Sequence, residues 1–134
     1  MNTDKLIIFQ KIYDFLLWLY PLINRIPKSH RLVLGKHLEE LAISILLLSV
    51  KANKTRDITR KEIQLEISDK LDELRILIRL AKDLRFMSVA QYSHAAEKIN
   101  EIGKILYGWT NCQPPDNLSI KGKPIRVSTR WQLE

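Results

Sequence analysis

Residues 59–86, TRKEIQLEISDKLDELRILIRLAKDLRF, decide the fold class. Ile63, Ile67, Leu71, Leu74, Ile78 and Ala81 recur at three- and four-residue spacing, the period of one face of an α-helix. Thr59 followed by Glu62 has the pattern of a capping box, in which each side chain satisfies a free backbone N–H at the helix start. The helix is therefore predicted from Thr59 to near Phe86. On its C-terminal side Ser88 and Gln91 repeat the capping pattern and open a further helix, running to about Trp109 and stopped by residues 111–115. On its N-terminal side a helix is predicted from about Ser29, the expected N-cap, to Ala52. A first helix covers residues 4–25. Pro21 predicts a kink or an early end near Tyr20, and Pro27 closes the stretch.

Helices of this length each span about 30–40 Å. The short linkers between them make neighbours antiparallel. The expected fold is all-α, an antiparallel up-down-up-down four-helix bundle over residues 1–112. Residues 113–134 contain Pro114, Pro115, Gly122 and Pro124 and carry no helical period. They read as an irregular C-terminal tail, extended or disordered, with residues 125–131 extended.

The 134 residues are 46% hydrophobic and 28% charged, the profile of one soluble globular domain. Cys112 is the single cysteine, so no internal disulfide forms and a reducing compartment is expected. The apolar runs at 16–22 and 41–50 fall short of the roughly 20 residues of a membrane span. Residues 1–4, MNTD, lack the basic opening of a signal peptide. The expected location is cytoplasmic, with no membrane partner.

The apolar faces are wider than one bundle needs. Leu65, Ile76 and Leu80 fall opposite the main stripe of the third helix. The second helix is apolar all round from 41 to 50 except at Ser44 and Ser49. The first is nearly so between Leu6 and Leu19. Monomers rarely display large contiguous apolar patches, so a homo-oligomer is expected.

The net charge is +7, from 22 Lys and Arg against 15 Asp and Glu. Residues 28–61 supply most of it, with eight basic and three acidic residues. One cluster holds Lys28, His30, Arg31, Lys36 and His37, next to Arg25. The other holds Lys51, Lys54, Arg56, Arg60 and Lys61. In an antiparallel bundle the two lie at opposite ends. On a helical wheel Lys61, Gln64, Ser68, Arg75, Arg79 and Lys82 form a narrow polar stripe that continues from the 51–61 cluster. Arg75, Arg79 and Lys82 are expected to be exposed and to follow a polyanion or an acidic protein surface.

No catalytic constellation is found. The residues three before His30, His37 and His94 are Pro27, Leu34 and Gln91, so the Glu-x-x-His signature of di-iron bundles is absent. Glycine-rich phosphate loops are missing, and Cys112 has no basic neighbour to activate it. The expectation is a non-enzyme without cofactor or metal.

Two stretches carry a resemblance. One is IPKSHRLVLG at 26–35. The other is the fourth helix, SVAQY at 88–92 followed by INEIGKILYGW at 99–109. Together they resemble the accessory variability determinant (Avd) proteins of diversity-generating retroelements, over roughly residues 5–111. Those proteins belong to a four-helix-bundle superfamily that also includes proteins encoded in intervening sequences of large-subunit ribosomal RNA. The ending Gly103 to Trp109 leans toward the Avd branch. The resemblance implies a basic homopentamer that binds a reverse transcriptase and template RNA, and possibly cDNA, in adenine-mutagenised reverse transcription. Two alternatives stay open: a ribosomal-RNA-associated bundle, and a purely structural interaction bundle. Six acidic residues on the third helix depart from a simple nucleic-acid face, and the tail lies outside the match.

Overall fold

The reciprocal cap expected at Ser88 forms. The Ser88 backbone N–H donates to Gln91 Oε1 at 2.9 Å, and the Gln91 N–H donates to Ser88 Oγ at 3.0 Å. Two donors without intrahelical partners are satisfied at once, and the helix that follows runs from Val89–Asn111 (α4). Replacing Ser88 with alanine removes one of these bonds. It is expected to cost about 1 kcal/mol of stability, read as a lower urea midpoint at unchanged slope.

The computed structural model describes residues 3–111. Besides α4 it contains α1 (Thr3–Asn24), α2 and α3 (Thr59–Asp83). α2 consists of one α-turn, Lys28–His30, a π-helical turn, Arg31–Gly35, and a long α-helix, Lys36–Lys54. No strand occurs among the described residues. The tail at 113–134 and Cys112 lie outside them, so the expectations for both are not addressed by the structure.

Several helix ends differ from the sequence reading. α1 continues through Pro21 to Asn24, close to the predicted limit at residue 25, so the early end that Pro21 allowed near Tyr20 does not occur. The residues after the proline, Ile23 and Ile26, are buried, and their transfer from water outweighs one missing backbone hydrogen bond. Ser29 is not the N-cap of α2. Pro27 holds the boundary in an extended conformation (φ −51°, ψ 141°), and its carbonyl accepts from His30 and Arg31 N–H at 2.8 and 3.0 Å. The capping box expected at Thr59 and Glu62 gives way to an Asx turn, in which Asp57 Oδ1 accepts the Thr59 N–H at 2.9 Å. Hydrogen bonding by Thr59 through its side chain and its backbone holds the Asp57 carboxyl below its ordinary pKa.

α3 stops at Asp83, three residues before the expected end. The Phe86 N–H reaches back to the Ala81 carbonyl and the Arg85 N–H to the Lys82 carbonyl, each at 2.9 Å. This is a Schellman closure, with Arg85 at its left-handed position (φ 69°) where glycine is usual.

The helices form a ring. α1 packs against α2 and α4, and α3 packs against α2 and α4. Contacts fix the antiparallel register. Trp18 meets His94 with ring centroids 4.5 Å apart, and Lys11 pairs with Glu101 at 2.8 Å, both between α1 and α4. The Glu101 carboxylate raises the pKa of Lys11, and Lys11 lowers that of Glu101. Each helix turns one aliphatic stripe inward: Ile8, Ile12, Phe15, Leu19 and Ile23 from α1; Leu34, Leu38, Leu41 and Ile45 from α2; Ile67, Leu71, Leu74 and Ile78 from α3; Ile99, Ile102, Leu106 and Trp109 from α4. Gly35 allows α1 to approach α2. A Cβ there would lie 3.5 Å from Ile23 Cγ2 and 2.9 Å from Arg31 Cγ.

The bundle leaves apolar side chains on its outside, as the wide faces predicted. Leu17 on α1, Leu47 on α2 and Ile76 on α3 are each more than half exposed, and Tyr13, Ile43, Leu65 and Leu80 are also exposed. No helix among the described residues is long and apolar enough to cross a membrane. Gly108, near the end of α4, faces open space: nothing lies within 4 Å of where its Cβ would be. Gly108→Ala is therefore expected to raise stability by about 0.5–1 kcal/mol, seen as a higher midpoint in thermal or urea unfolding.

Candidate nucleic-acid and partner interface

The topology gives the molecule two unlike poles. The α1–α2 and α3–α4 connections share one, the double-turn pole, where His30 and Phe86 touch with ring centroids 4.9 Å apart. The opposite, single-turn pole carries the α2–α3 connection, the start of α1 and the end of α4.

The two basic clusters separate as expected. Arg25, Lys28, Arg31 and Lys36 are exposed at the double-turn pole. The π turn helps to place Arg31. It lies seven residues before buried Leu38 and four before buried Gly35, so a regular α-helix would turn it toward the core. In the π turn its side chain lies over Gly35, the residue stays exposed, and its Nε donates to the Ile26 carbonyl at 3.3 Å. Lys51, Lys54 and Arg56 are exposed at the single-turn pole, with Lys61 half-buried beside them.

The stripe on α3 does not hold together as a surface. Gln64, Ser68 and Arg75 are all buried, Arg75 to 4% exposure. α3 is flanked by both α2 and α4, so its covered arc extends past the aliphatic stripe and takes in the polar positions next to it. Arg75 is thus corrected from an exposed binding residue to an interior one. Arg79 is exposed. Lys82 is half-buried, 3.3 Å from Asp83 and with its ammonium 4.6 Å from the centre of the Tyr92 ring. Neither sits beside the 51–61 cluster. About 30 Å of helix separates Thr59 from Arg79 at 1.5 Å per residue, so Arg79 and Lys82 join the double-turn pole.

Arg60 is a second correction. It is buried, and its Nε donates to the Thr55 carbonyl at 2.7 Å and to the Ala52 carbonyl at 3.2 Å. Its guanidinium carbon lies 5.9 Å from the centre of the Trp109 ring. These contacts tie the end of α2 to the start of α3 and to α4, so Arg60 is a structural clamp.

One basic residue escaped the sequence reading. Arg85 is exposed at the double-turn pole, and only the missing glycine at a helix stop could have signalled its special backbone position. A depression of about 540 Å³ lies there, lined by Lys82, Arg85, Phe86, Met87 and Val89 among others. A larger one, about 730 Å³, runs along α4 over Arg75, but its rim mixes Glu97 and Glu101 with Lys98 and Lys104. Among the described residues no group of three or more His, Cys, Asp or Glu is placed to hold a metal ion. His94 packs on Trp18 instead of forming a site with Glu97.

These features define a class: an all-α four-helix-bundle protein with a cationic surface at each pole. The chain belongs to the bAvd-like family, whose model matches residues 6–113. That agrees with the resemblance to Avd proteins seen in its sequence, and the family is a non-catalytic accessory type. No curated protein and no solved structure gives a significant match.

Proposed function

We propose that this chain is the non-enzymatic accessory protein of a diversity-generating retroelement, acting in the cytoplasm. In this reading it binds the element's reverse transcriptase together with template RNA or its cDNA and supports mutagenic reverse transcription. The observation that carries the reading is membership of the bAvd-like family over nearly the whole bundle. The exposed cations at both poles support it, because Lys and Arg pair with the phosphates of a nucleic acid, giving a salt-dependent affinity, or with carboxylates on a protein partner.

The reading includes self-association, supported by the exposed Leu17, Leu47 and Ile76 on three different helices, and takes the homopentamer from the resemblance to Avd proteins. Light scattering at micromolar concentration is expected to give a mass near five chains, and a 15.7 kDa particle would overturn it.

The functional test is reconstitution. The purified chain is mixed with the reverse transcriptase and template RNA encoded beside it, and the cDNA is sequenced. The expected result is adenine-mutagenised cDNA only when the chain is present, with RNA binding that weakens as salt rises. Unchanged cDNA without the chain would reject the reading. Binding to ribosomal RNA in preference to the template would favour the intervening-sequence alternative.

A further inference from the structure

The two poles differ in more than position. Among the described residues around Lys51, Lys54 and Arg56 the strongly exposed aliphatics are Ile58 and, one turn before Lys51, Leu47. The double-turn pole instead combines its cations with four such residues: Leu32 at 76% exposure, Val33 at 68%, Leu84 at 48% and Val89 at 71%. All four lie within three residues of His30 or Phe86, the pair that brings the two connections together. Scattered exposed aliphatics need no explanation, but four beside the two joined turns, one of them, Val89, lining the depression there, mark a patch.

The charge around this patch is mainly positive. Arg25, Lys28, Arg31, Lys36, Arg79 and Arg85 are exposed, against Asp83, which faces Lys82, and Glu39 and Glu40 one turn beyond Lys36, so cations outnumber acids. A phosphate backbone gains nothing from aliphatic side chains, and base stacking uses aromatic or guanidinium planes. Phe86, the aromatic of the α3–α4 connection, is half-buried against His30. Apolar side chains ringed by basic ones match a protein surface whose apolar patch is ringed by carboxylates. The π turn adds a second observation. It interrupts α2 where Leu32 and Val33 are presented, and such turns concentrate at functional sites.

We propose that the double-turn pole is the protein-docking surface of this chain, and that its occupant is an apolar, carboxylate-bordered surface of the reverse transcriptase. The inference rests on the function proposed above for the identity of that partner. Leu32, Val33, Leu84 and Val89 make the buried centre of the contact, and Arg25, Lys28, Arg31 and Arg85 its rim. RNA is left to the other pole.

The test uses the full chain and a double variant, Val33→Asp with Val89→Asp. Both positions are exposed, and Val89 opens α4, where a carboxylate is favourable. Circular dichroism and unfolding check that the fold is kept. A second pair, Lys51→Glu with Lys54→Glu, alters the other pole. Binding to nuclease-treated reverse transcriptase and to template RNA is measured for each. The valine pair is expected to weaken reverse-transcriptase binding at least tenfold and to leave RNA binding within about twofold. The lysine pair should do the reverse. Reverse-transcriptase binding by the folded valine variant equal to the parent would overturn the assignment. So would an equal loss of RNA binding, which would make this pole a nucleic-acid surface. A fall in particle mass would show instead that a second copy of the chain occupies it. If the parent chain itself fails to bind the enzyme, the functional reading falls, and the named partner with it.

Discussion

Trp109→Ala is expected to lower stability by about 3–5 kcal/mol, the range for deleting a large buried aromatic side chain. Trp109 is 2% exposed, at the end of α4 where the helix meets the single-turn pole. Its loss opens a cavity among core aliphatics and removes the ring beneath Arg60. The effect should exceed the sum expected from area alone, because Arg60 is buried and loses one of the contacts that compensate its charge. Chemical unfolding of Trp109→Ala, Arg60→Ala and the double variant measures this. A coupling energy of about 0.5 kcal/mol or more is expected for residues in direct contact. Additive losses would mean that the hydrogen bonds to Ala52 and Thr55 alone hold Arg60.

Arg75→Glu is expected to destabilise the bundle by about 3–5 kcal/mol, whereas Arg79→Glu, four residues later, should stay within about 0.5 kcal/mol. The contrast follows from burial. Arg75 is 4% exposed between α3 and α4, so a glutamate there must desolvate a carboxylate. Arg79 is exposed, and its replacement meets water. Urea unfolding of the two single variants separates them. Near-equal midpoints would show that Arg75 reaches solvent by a small side-chain movement. The same contrast governs binding studies: a variant carrying Arg75→Glu loses function through its fold, so only Arg79 and Lys82 report on a surface.

How far the sequence led can be judged position by position. The helical period of α3, the Ser88–Gln91 cap, and the outward position of Leu65, Ile76 and Leu80 are local or periodic properties, and each appears as read. The Thr59 box and the Ser29 cap failed for a shared reason. Several polar groups or boundary residues compete at a helix start, and small differences in backbone geometry choose between them. Of the two outcomes Pro21 allowed, the early end does not occur: the helix reaches Asn24, close to the predicted limit at residue 25, and Ile23 and Ile26 beyond the proline are buried.

The residues proposed for binding divide in the same way. Lys51, Lys54, Arg56, Arg25, Lys28, Arg31 and Lys36 lie near helix ends and connections, where exposure follows from position along the chain, and all are exposed. Arg60 and Arg75 lie where two neighbouring helices close over α3. A helical wheel gives the angle of a side chain but not the width of the arc its neighbours cover. The amino-acid sequence by itself determined the four helices, their antiparallel order, the inward aliphatic stripe and the separation of two basic clusters, because period, capping and linker length act within a few residues. Only the tertiary structure decided that Arg60 and Arg75 are interior, that Arg79 and Lys82 join the double-turn pole, and that four aliphatic residues gather there. Those outcomes depend on which helices lie side by side, a contact between residues far apart in the chain.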